Sequence, residues 1–476
     1  MHMRPAIACA GLLTGALVAL TGTTAQAVTP RYEAESAPAV CTGTSDSDGT
    51  GYSGSGFCNA PDTSGAHARF TANAASAGTA PVNRRFADGS AATRSATTDD
   101  GPPHLGAGAA TATAGTVLYV SPAGTDGAAG TESAPTTLTS AISRITPGGT
   151  IYLRGGTYRQ SATVTIPDGS DGTSAARTTL SAYPGEKPVL DFSAQTESPS
   201  NRGIQLFADY WRLYGLTVQH AGDNGIYVGG SNNVVERVVT AYNRDTGLQL
   251  GRTASSTPSS QWPANNLIVS SESHDNADSD GEDADGFAAK LTTGTGNVFR
   301  YDVSHHNIDD GWDLYTKTDT GAIGPVTIEY SLSYDNGTLS DGTVNTNGDR
   351  NGYKLGGDDI PVNHVVQHSI AYKNGHHGFT YNSNPGTMTI SGNVGVDNAE
   401  RNFSFDKGTS VFRNDTSCRF AGSGSNDKTV GSADGSNQFW TGSNGSRCSS
   451  YAGALGWSFA SDGRLAVTFG GSVVNP

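Results

Sequence analysis

The chain has 476 residues, of which 63 are glycine and only 15% are charged, with a net charge of −15. That length allows two or three domains, and abundant glycine with few charges describes a turn-rich β protein rather than a helical bundle or a disordered polyelectrolyte. The acidic balance argues against nucleic acid or an anionic membrane as partner, and an acidic ligand would need a cation between itself and the protein.

Residues 1–27 read as a secretory leader: Arg4, the apolar run Ala10–Leu20, then Ala25-Gln-Ala27 as a small-residue cleavage site. The run is too short to be a permanent membrane anchor, so the expectation is a secreted, extracellular protein. Cys9 lies in the leader. Cys41, Cys58, Cys418 and Cys448 remain, and in an oxidising compartment nearest neighbours are expected to pair, 41 with 58 and 418 with 448. No CxxC or His-rich spacing suggests zinc. Residues 28–93 contain Tyr32-Glu-Ala-Glu35, Gly51-Tyr-Ser-Gly-Ser-Gly-Phe57 and Arg84-Arg-Phe-Ala-Asp-Gly89. This segment resembles the first half of a β-sandwich carbohydrate-binding module of families 6 and 35. Half a sandwich leaves unpaired strand edges and a one-sided core, so sugar binding is not expected of it. Residues 94–116 are a Ser/Thr/Gly/Pro/Ala-rich linker.

From Val117 the character changes. Val117-Leu-Tyr-Val-Ser-Pro122 opens a strand. Leu138, Ile142 and Ile145 fall at helical spacing in Thr136–Ile145, which predicts a short amphipathic cap over the open end of a solenoid. Short strands then begin at Thr150–Tyr158. A polar-Gly-apolar-x-apolar phrase recurs as Asn224-Gly-Ile-Tyr-Val, Thr246-Gly-Leu-Gln-Leu, Asp285-Gly-Phe-Ala-Ala-Lys290, Asp310-Gly-Trp-Asp-Leu-Tyr315, Asn351-Gly-Tyr-Lys-Leu-Gly356, His377-Gly-Phe-Thr-Tyr and, without its glycine, Asn402-Phe-Ser-Phe. A second repeat aligns on Asn243, Asn276, Asn307, Asn336, Asn374 and Asn398. Three residues earlier stand Thr240, Ser273, Ser304, Ser333, Ala371 and Gly395; eight residues earlier stand Val235, Ile268, Phe299, Ile328, Val366 and Ile390. Stacked short strands with small, apolar and asparagine columns describe an all-β protein, a parallel β-helix over 117–476. The asparagines are structural, bonding from one coil to the next.

Alternation within each phrase places Ile226, Leu248, Phe287, Trp312, Tyr353 and Phe379 inward. Tyr227, Gln249, Ala288, Asp313, Lys354 and Thr380 then point outward. Asp313 and Lys354 share that outward column on consecutive coils, about 5 Å apart. Asp285 and Asp310 share the column before the glycine, with Asp309 beside it. The corner from asparagine to phrase takes four residues in three units but ten from Asn276 to Gly286 and sixteen from Asn336 to Gly352. These two insertions bracket the charged cluster, and loops on a rigid scaffold carry recognition. Four close carboxylates repel unless a cation sits among them. An all-oxygen donor set favours a hard ion, calcium before magnesium. Beside such an ion the charged form of Lys354 is disfavoured and its free amine becomes available as a general base. The matching reaction is proton removal next to a carboxylate, which in an acidic polysaccharide is β-elimination.

Ala284-Asp-Gly-Phe, Asp309-Asp-Gly-Trp-Asp313 and Asn351-Gly-Tyr-Lys-Leu-Gly resemble polysaccharide lyase family 9, pectate lyases with a ten-coil right-handed parallel β-helix. The resemblance covers most of residues 117–415. It implies calcium held by Asp285, Asp309, Asp310 and Asp313, Lys354 as the base, and plant cell-wall polygalacturonate as substrate. Trp312 and Tyr353 stand where that family commonly has Phe, and loop 337–350 departs from it. Arg350 and Lys317 flank the cluster as candidates for holding substrate carboxylates. His305, His306, His376 and His377 read as structural or surface residues, and Lys290 as less well placed than Lys354. A monomer is expected. Two other functions fit the composition: a β-helical glycoside hydrolase with Asp309 and Asp310 as acid and base, and a non-catalytic wall-binding protein.

Overall fold

A computed structural model describes residues 115–421 and 424–474, together with seven short strands among residues 1–103. Those strands pair antiparallel within their own unit, for example Thr44–Asp46 with Phe57–Asn59. The leader cleavage site, most of the 28–93 segment and of the linker, and the Cys41–Cys58 pairing lie outside the described residues.

From Val117 the chain winds into three parallel sheets of twelve, ten and ten strands. Each coil contributes one strand to each sheet in the same order, giving ten complete coils, and the winding is right-handed, as parallel crossovers are. Four consecutive coils position the charged residues, each with its glycine phrase on the third sheet. Their third-sheet strands are β1 (Phe287–Ala289), β2 (Trp312–Asp313), β3 (Tyr353–Lys354) and β4 (Phe379–Thr380). The predicted cap is α1, Leu138–Arg144, with Leu138, Ala141 and Ile142 buried and the Thr137 hydroxyl accepting the Ser140 N–H at 3.2 Å. Among the described residues no helix is long and apolar enough to cross a membrane.

Inside the coils the inward residues of the phrase stack ring on ring. Phe287, Trp312, Tyr353, Phe379 and Phe403 have consecutive centroid distances of 4.9, 4.9, 4.7 and 5.0 Å. The asparagine column runs alongside, each side-chain amide donating to the next Oδ1 from Asn243 through Asn398 at 2.8–2.9 Å. The same column explains the glycine. A Cβ at Gly311 would lie 2.1 Å from Ser333 Oγ and 2.9 Å from Asn336 Nδ2. Any side chain there would displace the amide ladder, so phrase, small residue and asparagine recur together. Asn307→Ala removes the acceptor of the Asn276 backbone N–H (3.2 Å) and side-chain amide (2.8 Å). With each buried orphan costing about 1–3 kcal/mol, this variant is expected to lose about 3 kcal/mol of stability in chemical denaturation. A loss under about 1 kcal/mol would show that water replaces the ladder.

The solenoid ends sooner than the sequence suggested. Its last strand is Ser432–Ala433, and residues after it fold back as an antiparallel sheet of Leu455–Phe459, Leu465–Phe469 and Ser472–Val474. Val467, Phe469 and Val474 cover Val303, Leu332, Ile370 and Val394 on the outside of the second sheet. Cys418 and Cys448 are bonded, joining the last second-sheet strand to the segment that leads into this cover.

Candidate active site

The acidic residues arise from turn chemistry first. Asp285 and Asp310 precede the glycine on adjacent coils, and the ladder joins them: Gly286 N–H donates to Asp310 O at 3.0 Å, and Gly311 N–H to Asn351 O at 2.8 Å. The next strand positions place Asp313 in register with Lys354. One carboxylate oxygen each of Asp285, Asp310 and Asp313 lies within 4.8 Å of the other two. Although these residues point away from the core, they are 0, 0 and 4% exposed. The inserted loops bury them. Asn345 reaches across with its amide to Gly281 O (2.7 Å) and Ile308 O (2.5 Å), and Asn347 to Asp280 O (2.8 Å), tying loop 337–350 to loop 277–285.

The carboxylates are unevenly used. Asp285 Oδ1 accepts the Asp310 N–H (3.2 Å), and its Oδ2 takes the Thr246 hydroxyl (3.1 Å) and the Lys290 amine (2.8 Å). Asp310 Oδ1 accepts the Asn351 N–H at 2.5 Å, whereas Asp310 Oδ2 and Asp313 Oδ1 are buried and accept no hydrogen bond. Lys354 Nζ lies 2.9 Å from Asp349 Oδ2, 3.3 Å from Asp310 Oδ2, 3.7 Å from Asp313 Oδ2 and 5.4 Å over the Tyr315 ring. Lys290 Nζ lies 3.7 Å from the same Asp313 oxygen. Asp313 therefore sits between two amines.

Electrostatics follow from this crowding. Burial pushes Asp310 up to about 7 against the pull of Lys354. Asp309 rises to about 10, first through burial and then through the Asp310 and Asp285 charges. Asp285 also rises, with Lys290 opposing its burial. Burial acts to lower Lys354, but Asp313, Asp310 and Asp349 outweigh it and hold the amine above the usual lysine range. Carboxyls pushed toward neutrality beside amines held charged are the mark of surplus buried negative charge. Asp285, Asp309, Asp310 and Asp313 are buried carboxylates and outnumber the buried amines Lys290 and Lys354, so negative charge is in surplus there. Asp310 Oδ2 and Asp313 Oδ1, which accept no hydrogen bond, supply acceptors for a cation. The all-oxygen donor set fits a hard ion.

The structure sorts the other expected residues. Asp309 is not among the three converging carboxylates; its Oδ1 accepts the N–H groups of Asp349 (2.6 Å) and Arg350 (3.1 Å), so it anchors the inserted loop. Arg350 places Nη1 3.5 Å from Asn345 O and leaves Nε buried without a partner. Lys317 is exposed in a tight turn closed onto Gly321 (2.8 Å), near Asp358. Lys290, ranked below Lys354 from sequence, is inside the cluster. Its signal was present: two residues past Ala288, it shares that outward face. Tyr315 carried the same signal, standing two residues past the outward Asp313 as Lys290 does past Ala288, whereas Asp349 carried none, because a loop has no fixed period.

A protein-family description, Pel9A-like, right handed beta helix region, matches residues 118–463. The chain belongs to this family. By that membership it is a polysaccharide lyase. It is 56% identical over 336 residues to pectate lyase L of Paenibacillus polymyxa, covering 70% of this chain and 74% of that protein. Pectate lyase PEL9 of Emericella nidulans is 36% identical over 324 residues, covering 62% of this chain and 76% of that one. Among solved structures, the crystal structure of pectate lyase Pel9A aligns with a TM-score of 0.63 at 28% identity, over 76% of this chain and 89% of the other. A rhamnogalacturonan lyase aligns with the same TM-score at 22% identity, which shows the shared fold alone.

Proposed function

We propose that this family member is a secreted, calcium-dependent pectate lyase that cleaves polygalacturonate by β-elimination, with Lys354 as the base. The observation that carries the reading is the buried cluster of Asp285, Asp310 and Asp313 beside an amine, with two carboxylate oxygens that accept no hydrogen bond. Its similarity to curated pectate lyases supports the substrate class.

Asp285, Asp310 and Asp313 would hold the calcium, and Asp309 would fix the loop that closes over them. Calcium, when bound, supplies positive charge that offsets the cluster's carboxylates and the substrate's own carboxylate. With the charges of Asp310 and Asp313 offset, the Lys354 amine in its free form takes the C5 proton of a uronate. The C5–H electrons form the C4=C5 bond, the C4–O glycosidic bond breaks, and the departing oxygen gains a proton from water. Asp349, 51% exposed in its side chain, keeps the amine oriented at 2.9 Å. The inserted loops exclude water from the carboxylates, which strengthens each charge interaction inside.

Absorbance of the 4,5-unsaturated uronate on polygalacturonate at alkaline pH tests this directly. Product is expected with calcium, and chelator is expected to stop it. Reducing ends without ultraviolet absorbance would mean hydrolysis instead, and binding without product would mean a wall-binding protein.

A further inference from the structure

One coil beyond Lys354, the turn before β4 carries His376 and His377, and the coil after it brings Glu400 alongside. The residues are bound to the active-site turn: His376 N–H donates to Arg350 O at 3.0 Å, and His377 N–H to Asn351 Oδ1 at 3.2 Å. One ring nitrogen of each histidine and one Glu400 oxygen lie within 4.8 Å of one another. We propose that His376, His377 and Glu400 form a second metal site, separate from the aspartate cluster and selective for a borderline divalent transition-metal ion such as zinc.

His376 Nε2 and Glu400 Oε2 are 2.9 Å apart, which alone would be an ordinary salt link. What goes beyond it is the third ligand. His377 Nδ1 is buried with no hydrogen-bond partner in a residue 9% exposed, and the two rings, stacked with centroids 3.9 Å apart, would turn toward one another to share an ion. Leaving a buried polar nitrogen unpaired is costly, and a metal–nitrogen bond at that triad is one way to recover the cost. Glu400 Oε1 is paired with Arg401 Nη1, which orients the carboxylate and leaves Oε2 facing His376.

Donor chemistry separates the two sites. Two imidazoles with one carboxylate suit zinc, cobalt or nickel, while the all-carboxylate cluster suits calcium. Three protein ligands leave a coordination position for water or for a ligand carboxylate. The side chains of His376 and Glu400 are 36 and 39% exposed, so an ion can enter. Sequence spacing gave no hint of this triad because Glu400 lies a coil away from the histidine pair.

Cobalt(II) is the probe, added to the full chain in excess calcium and followed by equilibrium dialysis and visible absorption. One equivalent is expected to bind with an absorption band that reports nitrogen ligation. Glu400→Gln and His376→Ala are each expected to weaken binding about tenfold or more, since even an outer partner of a ligand costs that much. Asp310→Asn is expected to leave cobalt binding unchanged, whatever it does to polysaccharide cleavage, so the two sites fail or stand separately. No cobalt binding in excess calcium, or binding indifferent to both Glu400→Gln and His376→Ala, would overturn the proposal.

Discussion

Lys354→Met is expected to remove elimination activity almost completely while calcium binding and the unfolding midpoint stay near those of the parent. Lys354 is the side chain that the strand register places directly beside Asp313, and its amine is the group positioned to receive a proton. Positioned proton transfer contributes about 10²–10⁴-fold in rate, and a fall of that size in kcat with little change in KM is the expected reading. Lys354→Arg separates the two roles the residue could have. A guanidinium restores positive charge between Asp310 and Asp349 but cannot lose a proton at working pH, so it rescues an ion-pair role and leaves a base role dead. The pH profile carries a second sign. Asp313, Asp310 and Asp349 hold the amine charged above its usual range, so the rate rises with pH as free amine appears. Added calcium, by offsetting those carboxylates, moves that rise to lower pH. Activity in Lys354→Met within a few-fold of the parent would remove Lys354 as the base.

How far the sequence led depended on whether each feature was periodic. The glycine phrase and the asparagine column are imposed by stacking: a glycine where Ser333 and Asn336 fill the Cβ space, an asparagine where one amide must reach the next coil. Such constraints repeat in every coil and are legible as a pattern. So was the pairing of Asp313 with Lys354, which needs only strand alternation. Features owed to the irregular segments were not legible. Nothing in the period announces that Asn345 ties one inserted loop to the other, that Asp349 reaches Lys354, or that Asp309 turns its carboxylate to the loop backbone. The antiparallel cover of residues 455–474 was missed for the opposite reason. Its strands are as β-rich as the coils, and only the outward apolar column of Val303, Leu332, Ile370 and Val394 hints that the second sheet needs covering.

Asp310→Asn is expected to raise the calcium requirement steeply. Of the converging carboxylates, Asp310 is the one that holds the turn leading into Lys354 with one oxygen and leaves the other without a hydrogen bond. Its Oδ1 accepts the Asn351 N–H at 2.5 Å, while its Oδ2 is buried. Asparagine keeps an acceptor for the turn and removes the negative charge at the position that faces Lys354. The fold is therefore preserved and the cation loses one anionic ligand. An outer partner of a metal ligand is worth about 10–100-fold in affinity, so losing a ligand itself is expected to raise the half-saturating calcium by about 100-fold. At saturating calcium much of kcat should return, because Lys354 keeps its Asp349 contact at 2.9 Å while losing only the Asp310 charge at 3.3 Å. Isothermal titration with calcium and activity across calcium concentrations read the two halves of the expectation separately. Asp309→Asn is the informative contrast: its Oδ1 serves the Asp349 and Arg350 N–H groups, and an amide oxygen can keep accepting them. A calcium shift well below that of Asp310→Asn would assign Asp309 to the loop, whereas equal shifts would place it among the ligands.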